Sequence, residues 1–169
     1  QLDYDKSRMD VEIHLQSGDD SVKALAKQWM ESNKGAYRSI ALSDERFYLP
    51  STASTTDRNR LSAWVKDNAI KSTKNLQCDY CLIVSSDTLL RPYTLEALVE
   101  KKKPVIAPLL RPLSKPDDPY RNFFAAVTES GYYKDHPDYN LIAKRTKTGT
   151  FSVPCVHKTY LIDASYADR

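Results

Sequence analysis

Glycine is scarce in this chain, 4 residues in 169. Neither a G-x-G-x-x-G turn nor a P-loop occurs anywhere, so a nucleotide held here would be held without a glycine cradle. No apolar run is long enough to span a bilayer. The opening residues, Q-L-D-Y-D-K-S-R, contain no apolar h-region, so no signal peptide lies within them. Cysteine numbers 3, an odd count without framework spacing. Cys78 and Cys81 have C-x-x-C spacing but read as neutral packing thiols on a strand, where side chains three apart face opposite ways. His14, His136 and His157 are scattered singly, which leaves a four-ligand zinc site short of candidates. The net charge is only +3, too small to point to nucleic acid. The run Lys101-Lys102-Lys103 follows a helix pattern and reads as a solvated cationic helix end.

What is present is ordinary globular composition, 41% hydrophobic and 28% charged, in one domain over residues 1–169 that is large enough to bury a core. Residues 10–15 alternate apolar Val11, Ile13 and Leu15 with polar neighbours and predict a half-buried strand. Residues 17–21 read as a turn and helix cap. A helix follows over 22–30, with Val22, Leu25, Ala26 and Trp29 on one face, and Asn33-Lys34-Gly35 ends it. A strand is expected at 37–42, a loop at 47–57 and a helix at 58–73. The apolar run 80–84 predicts a buried central strand that ends in Ser85-Ser86-Asp87. A helix over 94–100 and a strand over 104–110 come next, then a Pro-rich loop at 111–121. Strands are expected at 122–128 and 152–162, around a Tyr-rich mixed segment at 131–142. Alternation early and strands late give an α/β class, a mixed sheet with helices on both faces. Open α/β sheets place ligand chemistry where a strand ends in a loop, which singles out Asp87.

From Asp79 the chain reads D-Y-C-L-I-V-S-S-D-T-L-L-R-P-Y-T-L-E-A-L-V-E-K-K-K-P-V-I-A-P-L-L. This run resembles the metal-site strand, helix and following strand of a GT-A-type glycosyltransferase of the collagen-modifying group. That group comprises the procollagen galactosyltransferases and the glycosyltransferase-like domains of procollagen lysyl hydroxylases. Leu2-Asp3-Tyr4 with Lys6-Ser7-Arg8, the trio Tyr120, Asn122 and Phe123, Gly131-Tyr132-Tyr133-Lys134, and Pro137-Asp138-Tyr139 are similar to its other blocks. G-T-F-S-V-P-C-V-H-K-T-Y-L-I-D, ending at Asp163, is the closest of them.

The resemblance implies a GT-A-like sheet incomplete at both ends, with a uridine-binding strand expected before Gln1 and a base-bearing acidic segment expected after Arg169. The chain would then be part of a longer multidomain protein. The reaction implied is transfer of galactose or glucose from a UDP-sugar to hydroxylysine in a collagen-like polypeptide, with Mn²⁺, in the lumen of the endoplasmic reticulum. The parent protein would be a possible homodimer. In such folds an Asp-x-Asp holds the metal, whose charge offsets that developing on the leaving diphosphate.

Residue by residue, Asp87 stands at the second Asp and is the implied metal ligand, and Ser85 replaces the first. Lys66, Ser85 and Asp87 form the implied donor side; Lys66 otherwise reads as a solvated helical lysine. Asn122, Tyr133 and His157 are acceptor-side candidates, read otherwise as a loop-fixing amide, a packing tyrosine and a core histidine.

Two further departures accompany Ser85. Gln16 and Ser17 occupy a turn that is Asp-rich in the galactosyltransferases, and Phe124 replaces a Trp. The alternative is therefore a non-catalytic accessory domain of a lysyl hydroxylase, with Fe²⁺ and 2-oxoglutarate bound in another domain. Cys78-Asp79-Tyr80 and Lys66-Asp67-Asn68-Ala69 lean that way, while Val156-His157 and Leu161-Ile162-Asp163 lean toward the galactosyltransferases.

Overall fold

The computed structural model describes residues 2–15, 19–43, 54–112 and 121–166, the side chain of Arg58 aside. Residues 47–53 of the loop expected at 47–57, the turn at Gln16 and Ser17, most of the Pro-rich loop and Tyr120 lie outside the described residues. The chain divides into two compact units, Tyr4–Gln77 and Cys78–Arg169, the latter joined by Gln1–Asp3.

The Tyr4–Gln77 unit is built on a β-α-β turn of chain. Strand β1 (Asp10–His14) leads into helix α1 (Asp20–Ser32), and strand β2 (Ser39–Ser43) returns parallel to β1 with Val11 opposite Ile40 and Ile13 opposite Leu42. Parallel neighbours require such a crossover, which α1 supplies. The Asp19 carboxylate caps α1 by accepting from the Ser21 amide at 2.8 Å. The face predicted to bury is only partly covered, since Leu25 keeps 64% of its surface exposed. Arg38 fastens the start of both strands: its guanidinium pairs with the Asp10 carboxylate, which also accepts from the Ser39 hydroxyl at 2.6 Å. Helix α2 (Thr55–Asn75) starts three residues earlier than the expected 58. The reason is a capping box, in which the Ser54 hydroxyl accepts from the Asp57 amide and the Asp57 carboxylate accepts from the Ser54 amide, both at 3.2 Å.

The Cys78–Arg169 unit carries the candidate site. Strand β3 (Tyr80–Ile83), helix α3 (Thr94–Val99) and strand β4 (Val105–Ile106) follow in order. Short strands β5 (Phe123–Phe124), β6 (Ala126–Val127) and β7 (Tyr133–Lys134) come next, then helix α4 (Pro137–Ala143) and strands β8 (Cys155–Val156) and β9 (Tyr160–Asp163). β9 is the middle of a three-stranded sheet ordered β3-β9-β4, antiparallel to both neighbours. The expectation that residues 80–84 form the central strand is thus corrected: the middle place goes to β9, whose Leu161 is 1% exposed. Leu95 and Leu98 of α3 are buried in the same unit.

The strand expected over 152–162 is broken into β8 and β9, because β8 pairs with β5 while β9 pairs with β3 and β4. Residues 157–159 make the turn between the two partners, and Lys158 sits there at φ 68. Likewise the run 122–128 divides into β5, paired with β8, and β6, paired with β7. The mixed segment 131–142 resolves into β7 and α4, the latter begun by His136, whose Nδ1 accepts from the Asp138 amide at 3.2 Å.

Candidate functional site

β3 ends in a tight turn. The Thr88 amide donates to the Ser85 carbonyl at 2.9 Å, which puts Ser86 and Asp87 at its exposed tip. This turn is stitched to residues 157–159. The Ser85 hydroxyl donates to the Lys158 carbonyl at 2.9 Å. The Thr159 hydroxyl accepts from the Ser85 amide at 3.4 Å and donates to the Thr88 hydroxyl at 3.2 Å. Thr159 has no exposed surface, so a buried hydroxyl anchors both turns.

On the outer side of that seam the Lys158 ammonium donates to the Asp87 carboxylate at 2.7 Å. Both side chains reach solvent, at 37% and 61% exposure for Lys158 and Asp87. The Lys158 hydrogen bond is the main reason the Asp87 carboxyl titrates below the ordinary carboxylate range. The turn that presents Lys158 is a three-residue one: the Thr159 amide donates to the His157 carbonyl at 2.9 Å, with Lys158 at positive φ between them. A γ-turn of that hand is rare and strained for a residue with a side chain.

Asn122 supports the seam from beneath. It is 2% exposed, and its Oδ1 accepts from the Leu110 amide at 2.8 Å while its Nδ2 donates to the Pro108 carbonyl at 3.0 Å. Its own carbonyl accepts from the His157 amide at 3.0 Å. This is the loop-fixing reading of Asn122, extended to the residue that precedes Lys158. His157 packs edge-on against Phe124, with ring centroids 5.7 Å apart, and Phe124 packs likewise on Tyr133 at 5.5 Å. Tyr139 completes the aromatic group against Tyr133 and Phe123. The Tyr133 hydroxyl donates to Asp135 at 3.0 Å, and burial raises its pKa ahead of that bond. His157 and Tyr133 therefore share one cluster, half-buried and exposed respectively. Lys66 belongs to α2 of the Tyr4–Gln77 unit, where it is half-buried.

The structure brings together Ser85, Asp87 and three residues that sequence reasoning passed over, Lys158, Thr159 and Thr88. The signal available was the polar pair Lys158-Thr159, which interrupts the apolar strand expected at 152–162.

A divalent cation fits this arrangement poorly. Hard cations take six or more oxygen ligands, carboxylates foremost. Among the described residues no three His, Cys, Asp or Glu side chains converge on a possible metal position. At the turn itself Asp87 already holds an ammonium, and the Ser85 hydroxyl points its proton at the Lys158 carbonyl. Among the described residues no disulfide links Cys78, Cys81 or Cys155. No helix among the described residues is long and apolar enough to cross a membrane.

The family comparison gives the class, a glycosyltransferase domain, and the mixed α/β architecture is consistent with a GT-A-like fold. The chain belongs to glycosyltransferase family 25, whose N-terminal domain it matches over residues 1–168. It is 30% identical over 169 residues to procollagen galactosyltransferase 2 of Homo sapiens, covering 96% of this chain and 26% of that protein. It is also 30% identical over 173 residues to a glycosyltransferase 25 family member of Anopheles gambiae, covering 98% of this chain and 28% of that one. The inactive glycosyltransferase 25 family member 3 of Homo sapiens is 28% identical over 167 residues, with 95% of this chain and 27% of that protein covered. The chain thus spans about a quarter of the length of the curated relatives it matches.

Proposed function

We propose that this domain forms the donor-side part of a collagen-modifying hexosyltransferase. It binds the diphosphate of a UDP-sugar and contributes to transfer of galactose or glucose to hydroxylysine in a collagen-like polypeptide. The observation that carries this reading is the Asp87–Lys158 pair, presented by two interlocked turns at the end of β3. Family membership and relatives named procollagen galactosyltransferase support the sugar chemistry and the acceptor. Collagen is made in the secretory pathway, so the working compartment is the lumen of the endoplasmic reticulum. The aromatic group around Tyr133 and His157 is the acceptor-side surface of this reading, with Asn122 positioning it from below.

One observation favours a second reading, a non-catalytic domain such as the accessory copy in a lysyl hydroxylase. The residue at 85 is a serine, which on the motif resemblance stands where active GT-A enzymes have a carboxylate; two relatives, both glycosyltransferase 25 family members, have the word inactive in their names. Calorimetric titration of UDP and UDP-galactose into the full-length protein, beside a transfer assay on hydroxylysine-containing collagen, separates the two. Binding with turnover supports the transferase. Binding without turnover supports the accessory domain, and no binding by folded protein removes the donor site altogether.

A further inference from the structure

Resting on that donor-site reading, we propose that the Lys158 ammonium takes the place of the divalent cation, so that this domain binds the nucleoside diphosphate without metal. The problem a metal solves is electrostatic: it links a protein carboxylate to the anionic diphosphate and offsets the charge of both. Here a cation is already linked to that carboxylate, covalently tethered and 2.7 Å from Asp87. It is partly exposed, so the same ammonium is open to an anion from solvent. Lysine serves phosphates as a point charge.

Three features show that the position of Lys158 is built. Its backbone is held at φ 68, a conformation uncommon for a lysine. The Ser85 hydroxyl holds the Lys158 carbonyl, and fully buried Thr159 locks the next residue to the Ser85–Thr88 turn. Ser85 gives the exchange its logic. A carboxylate at position 85 would lack the proton that the hydroxyl donates to the Lys158 carbonyl, and its charge would be repelled by that oxygen. The loss of one Asp and the seating of Lys158 are then one change seen from two sides. The metal and the ammonium compete for the same Asp87 oxygens, so the site accommodates one or the other.

The test is calorimetric titration of UDP into the full-length protein, in EDTA and in millimolar Mn²⁺, for wild type, Lys158→Gly, Lys158→Arg and the double variant Ser85→Asp/Lys158→Gly. Glycine suits φ 68, so Lys158→Gly removes the ammonium without adding strain, and circular dichroism verifies folding. Wild type is expected to bind equally in both conditions. Lys158→Gly should weaken binding about tenfold or more in both, the loss expected of one charge-assisted hydrogen bond. Lys158→Arg should retain most affinity. The double variant, with two carboxylates and no ammonium, should bind only with Mn²⁺. Wild-type binding that requires Mn²⁺ overturns the inference and leaves the donor-site reading standing. So does metal-independent binding that Lys158→Gly leaves unchanged. Absence of UDP binding to folded wild type in either condition overturns both.

Discussion

The Ser85 hydroxyl and the Lys158 carbonyl, 73 residues apart in sequence, meet at 2.9 Å and tie the end of β3 to the turn before β9. The bond gives the Ser85 side chain a structural task of its own. It orients the peptide that carries Lys158, and through it the ammonium on Asp87. A half-buried hydroxyl bond of this kind contributes about 0.5–1.5 kcal/mol.

Ser85→Ala should therefore lower stability by about 1 kcal/mol in urea unfolding. It should also weaken UDP binding, because the Lys158 peptide loses its hydroxyl tether. Ser85→Thr keeps the hydroxyl and should restore most of both. A Ser85→Ala protein with wild-type affinity would show that the tether does not position Lys158.

Asn122→Ala should cost more. The side chain is almost fully buried, and its removal leaves the Leu110 amide and the Pro108 carbonyl without their partner. Each orphaned part-buried group costs up to about 1–3 kcal/mol, so a loss of about 2–6 kcal/mol is expected in urea unfolding. If stability held and only the KM for acceptor rose, Asn122 would be an acceptor contact after all.

The pH dependence of helix α1 follows from its cap. The Ser21 hydroxyl, and after it the Ser21 amide, lower the pKa of Asp19. A carboxyl depressed on folding stabilises the native state above its unfolded pKa, about 3.9, and that contribution is lost as pH falls through the lower folded value. In an NMR titration the Asp19 carboxyl carbon should therefore move below the ordinary carboxylate midpoint, and the Ser21 amide should shift with it. In Asp19→Ala that Ser21 shift should vanish. An Asp19 midpoint at the ordinary value would show that the cap does not form in solution.

Much of this was legible in the chain itself. Alternation at Val11, Ile13 and Leu15 marks β1, and the apolar run before Ser85 marks β3, because burial of one or both faces leaves a period or a run in sequence. The start of α2 was missed at Ser54, although S-x-x-D is a capping pattern, because the Ser/Thr-rich stretch before it reads as loop. The break between β8 and β9 was illegible for a different reason. Which strand each half pairs with is a long-range fact, and an apolar run does not record a change of partner. The Asp87–Lys158 pair is hidden in the same way, since its members are 71 residues apart and meet only through the β3–β9 pairing.

Lys158→Gly tests whether strain and function are traded at this turn. The left-handed backbone costs a lysine about 1–2 kcal/mol relative to its ordinary conformations, a cost glycine does not carry. Against that, glycine makes the unfolded chain more flexible, worth about 0.4–1 kcal/mol, and the lost ion pair is solvent-screened, worth about 0–1 kcal/mol. The opposing terms nearly cancel, so the midpoint in urea should shift little in either direction. A residue kept at its position for binding shows this combination: affinity for UDP falls while stability stays. If stability instead fell by several kcal/mol, the Lys158 side chain would be a structural clamp between the two turns, and the strained backbone would be explained by folding alone.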